Sequence, residues 1–337
     1  MADFTVLILE GAYATGVAMT LDILFAAQTL APRAATAVPT WRVCSMDGGD
    51  VTLQSGMKLV TTKLPAKPRN DNSTWIVPGL GLNSAVSVQR GMESDEAVRA
   101  AAAIAKHVHG GGRMAAACSA VFLLQAAGVL KGRRATTTWW LAPLLQRLEP
   151  TCVVDADRMV CSDGPRIHRR EIKGTSTIVT AGAAFAQSDL MLHLLRVQFG
   201  NALVEAVSRM LLIDGREAQS PFIIPEVLAS GSDLVARLAA RIEAALPNPP
   251  SVTALAQEFC MSTRTLSRHV HSATGMSTQA LINSVKLQRA RKLLQSSRMT
   301  VDRVAEAVGY QDATALRRLM KKVAGVNPGR YRLGSHR

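Results

Sequence analysis

The sequence predicts an α/β domain built on a doubly wound, mostly parallel sheet, followed by an all-α domain with two helix-turn-helix motifs. Three observations predict it. Apolar β-type runs alternate with helical periods through roughly the first 200 residues. The last hundred residues carry one pattern twice. The charge is unevenly divided: residues 234–337 hold 17 Lys/Arg against 5 Asp/Glu, so they carry +12 of the formal +14. With 337 residues and 48% hydrophobic content, the chain suits two or three domains with real cores and is too apolar for disorder.

The elements read in order. Residues 4–9 form a core strand and residues 16–31 a helix. Trp41–Met46 is a second strand, bounded by Asp47-Gly-Gly-Asp50. Thr74–Val77 is another, stopped by Pro78-Gly79. Residues 94–109 form an Ala-rich helix closed by Gly110-Gly-Gly112, a turn that lacks the Lys-Ser/Thr of a phosphate loop. Met114–Ala117 is a small-residue strand leading into Cys118 and a helix to about Ala127. Residues 150–180 are strand-like and polar, and 184–199 and 202–213 are apolar-periodic helices. Asp214 to Ser232 is rich in Gly and Pro and reads as a linker, so the expected domains are 1–213, a linker 214–232, and 233–337. Leu234–Leu246 is a helix ended by Pro247-Asn-Pro-Pro250.

The doubled motif follows. Val252–Phe259, a turn at Cys260–Ser262, and Thr263–Val270 make the first copy. Val301–Val308, a turn at Gly309–Asp312, and Ala313–Met320 make the second. Ser262 and Asp312 suit the N-caps of the two second helices. Leu266 and Val270, like Leu316 and Met320, recur at i and i+4 and face inward. Thr263, Arg264, Ser267, Arg268 and His271 then project outward, as do Gln311, Ala313, Thr314, Arg317, Arg318, Lys321 and Lys322. Basic second helices of this kind suit a DNA major groove. Arginine forks can take guanine edges, while lysines more often neutralise phosphates. Thr278 to Gln295 is one long helix between the copies.

This pattern resembles the AraC/XylS class of transcription regulators. The carrying residues are Met261-Ser262-x-Arg264-x-Leu266-x-Arg268, Gly275-x-Ser277, Ala290-x-x-Leu293-Leu294, Val304-Ala305-x-x-Val308-Gly309-Tyr310-x-Asp312, Arg318, and Gly325-x-x-Pro328-x-x-Tyr331-Arg332. The chain departs from the class at Val270, Leu316 and Met320, where Phe is usual, and at Thr278, where Pro is usual.

Residues 4–200 resemble the DJ-1/PfpI branch of the class I glutamine-amidotransferase-like fold. The residues are Leu7–Gly11, Leu21-Asp22, Trp75–Gly79, Ala117–Ala120, Ala127–Gly132, Arg134–Thr137, Trp139 and Thr180–Gly182. The fusion resembles GlxA-type regulators, and Arg216-x-x-Gln219-Ser-Pro-Phe222 resembles their interdomain segment. A strand-to-helix elbow aims Cys118 into the cleft, and the following helix N-terminus favours its thiolate. The resemblance places a His where this chain has Thr138, a carboxylate near Gly16, and a glycine at Leu80. Three positions that carry chemistry are altered together, and a nucleophile needs a base within reach. His107, His109, His168 and His193 read as surface or core histidines.

The cleft therefore reads as a non-catalytic effector pocket lined by Glu10, Gly79, Leu80, Asn83, Cys118, Ser119, Thr138, Trp139 and Trp140. Elbow N–H groups suit a carboxylate and the tryptophans a cation, and the resemblance implies an amino acid or quaternary amine. The alternatives are a cysteine-dependent hydrolase or amidase and a redox sensor at Cys118. Five unpaired-pattern cysteines imply a reducing compartment with no metal, and no cofactor is expected. The N-terminus reads as a buried strand rather than a signal peptide, no apolar run suits a membrane, and a cytoplasmic location is expected. Expected partners are a double-stranded DNA operator, RNA polymerase, the small effector and a second copy of the chain, acting as an activator.

Overall fold

The computed structural model describes residues 2–65, 71–163, 166–167, 170–171, 177–213, 219, 233–274, 277–324 and 328. The chain divides into two compact units, Met1–Arg216 and Glu217–Arg337. The segment read as a linker, 214–232, lies outside the described residues except for Gln219.

The described residues of the first unit form twelve strands: β1 (Phe4–Leu7), β2 (Trp41–Ser45), β3 (Gly49–Thr52), β4 (Lys58–Lys63), β5 (Thr74–Val77), β6 (Arg113–Ala117), β7 (Arg134–Ala135), β8 (Val153–Val154), β9 (Val160–Asp163), β10 (Arg166–Ile167), β11 (Arg170–Glu171) and β12 (Ile178–Ala181). Eight of them form one sheet in the order β3-β4-β2-β1-β5-β6-β12-β9. The sheet is parallel from β4 through β12, with an antiparallel pair at each edge. Strands β1, β5 and β12 are buried at every position, as expected for a sheet covered on both faces. Helices α1 (Ala14–Leu30), α6 (Ala186–Phe199) and α7 (Asn201–Met210) pack together. A second group joins α2 (Ala85–Met92), α3 (Asp95–His109) and α4 (Val121–Ala126), while α5 (Ala142–Leu148) packs on α4.

Several elements were not legible in the sequence. The β3–β4 hairpin is an edge, so β4 buries only Thr61 fully and shows little apolar alternation. Helix α2 has one buried residue, Val88, and begins at a capping box made by Ser84 and Ser87. Helix α5 is two turns long.

The second unit holds α8 (Asp233–Ala244), α9 (Val252–Glu258), α10 (Thr263–Thr274), α11 (Thr278–Ser296), α12 (Val301–Ala307) and α13 (Ala313–Ala324). Helices α9 to α13 start where hydroxyl or carboxylate oxygens capture orphan N–H groups. Ser251 caps α9 through Ala254 N–H at 3.1 Å, and Ser262 caps α10 through Thr265 N–H at 3.1 Å. Ser277 caps α11 at 3.2 Å, Thr300 caps α12 at 3.3 Å, and Asp312 caps α13 through Ala315 N–H at 2.9 Å. Leu255, Ala256, Leu266 and Val270 are buried in the first motif. Leu287, Ala290, Leu294, Val304, Ala305, Val308, Leu316 and Met320 form the core of the second. The aliphatic residues at the departing positions fill their places without exposure.

Candidate nucleic-acid interface and the cysteine elbow

The two capped helices present their basic residues as the periodicity requires. On α10, Thr263, Arg264, Arg268 and His271 are exposed, and Arg264 and Arg268 engage no partner among the described residues. Ser262 is exposed too, although its hydroxyl is committed to Thr265. Ser267 is half-buried, its oxygen accepting from the Thr278 hydroxyl at 3.4 Å, so it leans toward the start of α11. On α13, Thr314, Arg317 and Arg318 are exposed, with Gln311 just before them. Backbone N–H of Ala315 and both groups of Thr314 hold the Asp312 carboxyl below its ordinary range, and Arg318 adds attraction.

Ala313 does not fit the expectation. It is only 3% exposed and faces inward, because 313, 316 and 320 fall on one stripe of the helix. It is a core residue, not a DNA contact. The side chains of Lys321 and Lys322 lie outside the described residues.

Several cations of this unit are engaged within it. Arg241 on α8 grips Glu258 on α9 with a two-pronged ion pair at 2.7 and 2.9 Å. Arg237 lies 5.3 Å from the Phe259 ring centroid. Lys286 on α11 donates to the Gly309 carbonyl at 3.1 Å. Charge counting could not separate these engaged residues from Arg264 and Arg268.

In the first unit the chain runs out from β1 to β2 and returns to β5, which leaves a topological switch point at the carboxyl ends of β1 and β5. Glu10, the 78–83 loop and Cys118 follow β1, β5 and β6 there. Cys118 has φ +57, a left-handed conformation unusual for a side-chain-bearing residue. Gly79 allows this elbow: a Cβ on it would stand 2.8 Å from Cys118 Cβ. Ser119 Oγ donates to the Leu80 carbonyl at 2.5 Å, and Thr137 Oγ1 donates to the Cys118 carbonyl at 2.7 Å. The Cys118 Sγ lies 4.0 Å from Thr138 Oγ1 and 3.9 Å from Ser119 Oγ. Gly16 lies beside Pro78 and Gly79, where a Cβ would meet them at 3.7 and 3.8 Å, and it brings no carboxylate.

The expected thiolate is corrected by burial. Cys118 is 2% exposed, and desolvation pushes its thiol up despite hydrogen bonds from Ser119 and Thr138. A 3₁₀ turn, Cys118–Ala120, precedes the six-residue α4, so no long helix aims its N-terminus at the sulfur. Among the described residues, no His, Asp or Glu bonds to it. The elbow N–H groups are also engaged, Cys118 N–H with the Gly182 carbonyl at 2.8 Å and Ser119 N–H with the sulfur.

The proposed pocket residues separate into a floor and a rim. Gly79, Leu80, Cys118, Ser119, Thr138 and Trp139 are buried. Trp139 is therefore core rather than an open cation platform. Trp140 is half-buried, packs edge-on against Trp139 with centroids 5.0 Å apart, and donates its indole N–H to the Asn83 carbonyl at 3.0 Å. Asn83 and Glu10 are exposed. The Glu10 carboxylate accepts from Thr52 N–H at 3.1 and 3.2 Å, so it joins the β3 side of the rim rather than the sulfur. His107 stacks on Trp75 at 4.2 Å and bonds the Arg113 carbonyl at 3.0 Å, and burial pushes its pKa down. It is a core histidine. His168 lies outside the described residues. No group of three metal-ligating side chains occurs among the described residues.

A DJ-1/PfpI family model matches residues 33–170, and a helix-turn-helix domain model matches residues 255–334. The chain is a DNA-binding transcription regulator that joins a DJ-1/PfpI domain to an AraC-type helix-turn-helix domain. It is 25% identical to the HTH-type transcriptional regulator GbdR of Pseudomonas aeruginosa, over 87% of this chain and 75% of the relative. It is 26% identical to the HTH-type transcriptional regulator GlxA of Rhizobium meliloti, over 65% of each chain. A solved AraC family transcriptional regulator from Pseudomonas putida aligns with a TM-score of 0.48 at 21% identity, over 63% of this chain and all of that one.

Proposed function

We propose that the chain is a sequence-specific activator whose first unit binds a small effector without catalysis and brings two copies together. The observation that carries the DNA-reading part is the capped α10 helix, on which Arg264 and Arg268 stand exposed and, among the described residues, unengaged. Residues 1–213 serve sensing and dimerisation, 214–232 link, and 233–337 read an operator in the cytoplasm alongside RNA polymerase. The bases are met by Arg264, Arg268, Ser267, Thr263 and His271 in one groove. Thr314, Arg317 and Gln311 meet the next, with Arg318, Lys321 and Lys322 on phosphates.

Effector recognition falls to the rim: the Trp140 face for a cationic amine, and Asn83 and Glu10 for its polar groups. The buried floor supplies shape. The test is a thermal-shift panel of amino acids and quaternary amines, because a ligand of the folded state stabilises it by about 2.7 kcal/mol at 100 times Kd. Stabilisation that Trp140→Ala abolishes is expected, and a shift unaffected by that substitution would remove the rim from recognition.

The strained Cys118 elbow favours a second reading, a hydrolase or a redox sensor. Its burial and its hydroxyl-only neighbours support the non-catalytic reading. Slow alkylation of Cys118 at neutral pH and no burst acylation are expected. An acidic, fast-reacting thiol would favour the enzyme, and oxidant control lost only in Cys118→Ser would favour the redox sensor.

A further inference from the structure

The turn of the second motif is gripped from two sides. Gly309 has φ +78, and a Cβ placed on it would run into the backbone carbonyl of Pro247. Conformation and space both demand glycine there. From α11, the Lys286 ammonium donates to the Gly309 carbonyl at 3.1 Å and lies 4.5 Å from the Tyr310 ring centroid. Lys286 and Tyr310 are half-buried, and Tyr310 packs on the core of the second motif. Two residues after Tyr310, Asp312 caps the helix that carries Arg317 and Arg318. The lysine thus ties α11 to the turn from which α13 departs, and its ammonium faces the fold. A phosphate-contacting lysine would hold its charge out in solvent.

We propose that Lys286 is a positioning residue, which sets the angle of α13 by pinning the Gly309–Tyr310 turn and makes no phosphate contact. The proposal rests on reading α13 as a DNA-facing helix.

The probes are a duplex enriched from a random pool by the full-length wild-type chain, and a shuffled duplex of equal length. Binding is measured across a KCl series, with melting followed by circular dichroism. Lys286→Met is expected to lose about tenfold on the enriched duplex, the scale of one misplaced base contact, with little change on the shuffled one. Its salt slope stays at the wild-type value. Lys286→Gln, which keeps a donor for the Gly309 carbonyl but no charge, is expected to recover most of the loss and to fold if the methionine variant does not. Equal losses on both duplexes, with a salt slope lower by about one in either variant, would make Lys286 a phosphate contact and overturn the proposal. Wild-type affinity in both variants would overturn it as well. Arg317→Ala/Arg318→Ala at wild-type affinity and slope would instead sink the reading of α13, and the proposal with it.

Discussion

The two helix-turn-helix copies share a backbone plan and differ in what holds it. Tyr310 N–H bonds to the Ala305 carbonyl at 2.9 Å, and Met261 N–H bonds to the Ala256 carbonyl at 2.8 Å, so the turns superimpose in hydrogen bonding. At the left-handed position, the first copy has exposed Cys260 at φ +52 and the second has Gly309 at φ +78. The first copy is braced from α8 by a surface ion pair and an Arg–Phe contact. The second is braced by a buried cluster and an inward-facing lysine. The same hydrogen-bonded turn therefore tolerates a strained cysteine where it is open to solvent, and excludes it where backbone crowds the turn.

The largest expected effect sharpens that contrast in the core. Leu316→Ala, in the buried cluster of the second copy, is expected to cost about 2–5 kcal/mol in thermal or urea unfolding. Parity with a surface substitution would break the claim that a packed core holds the second copy. An exchange at the turns comes next. Gly309→Cys must both adopt positive φ and move the Pro247 carbonyl, an expected loss of about 1–3 kcal/mol. Cys260→Gly should change stability by less than about 1 kcal/mol, since relief of strain opposes added unfolded-state freedom. Equal losses from the two exchanges would show that crowding is not the difference.

The comparison also has a binding arm. Arg268→Ala is expected to lose about 1–3 kcal/mol on the enriched duplex with relaxed sequence preference, as for a base contact. Arg318→Ala is expected to lose affinity evenly across sequences and to lower the salt slope by about one, as for a phosphate contact. Reversed signatures would exchange the roles of the two helices. The smaller effects concern caps and braces. Ser262→Ala should cost about 1 kcal/mol, and Arg241→Ala about 0.2–1 kcal/mol because its ion pair is solvent-exposed. The Asp312 cap adds a pH signature that Ser262 lacks. Its carboxyl titrates lower folded than unfolded, so its contribution is present above the ordinary carboxylate range and is lost as pH falls through the folded value. Acid melts of Asp312→Asn against wild type should converge at low pH, and curves that stay parallel would remove the cap's charge from stability.

Legibility followed periodicity and spacing. The inward stripe of Leu266 and Val270, the caps at Ser262 and Asp312, and the core strands could be read because each is set by residues within one turn or one strand. Ala313 was misassigned because alanine marks neither face of a helix, and only its packing shows which side it takes. The edge hairpin β3–β4 and the short α2 were missed because elements that bury little leave a faint pattern.

The amino-acid sequence by itself determined that a parallel α/β unit precedes two basic, capped helix-turn-helix motifs, since period, caps and turn residues act over a few positions. Tertiary structure alone decided which groups face where. It closed the Cys118 thiol under Gly79 and raised it by desolvation. It engaged Arg237 and Arg241 in surface contacts and turned Lys286 toward the Gly309 turn, while leaving Arg264 and Arg268 exposed. Desolvation and cation direction depend on neighbours distant in the chain, and no local pattern encodes those distances.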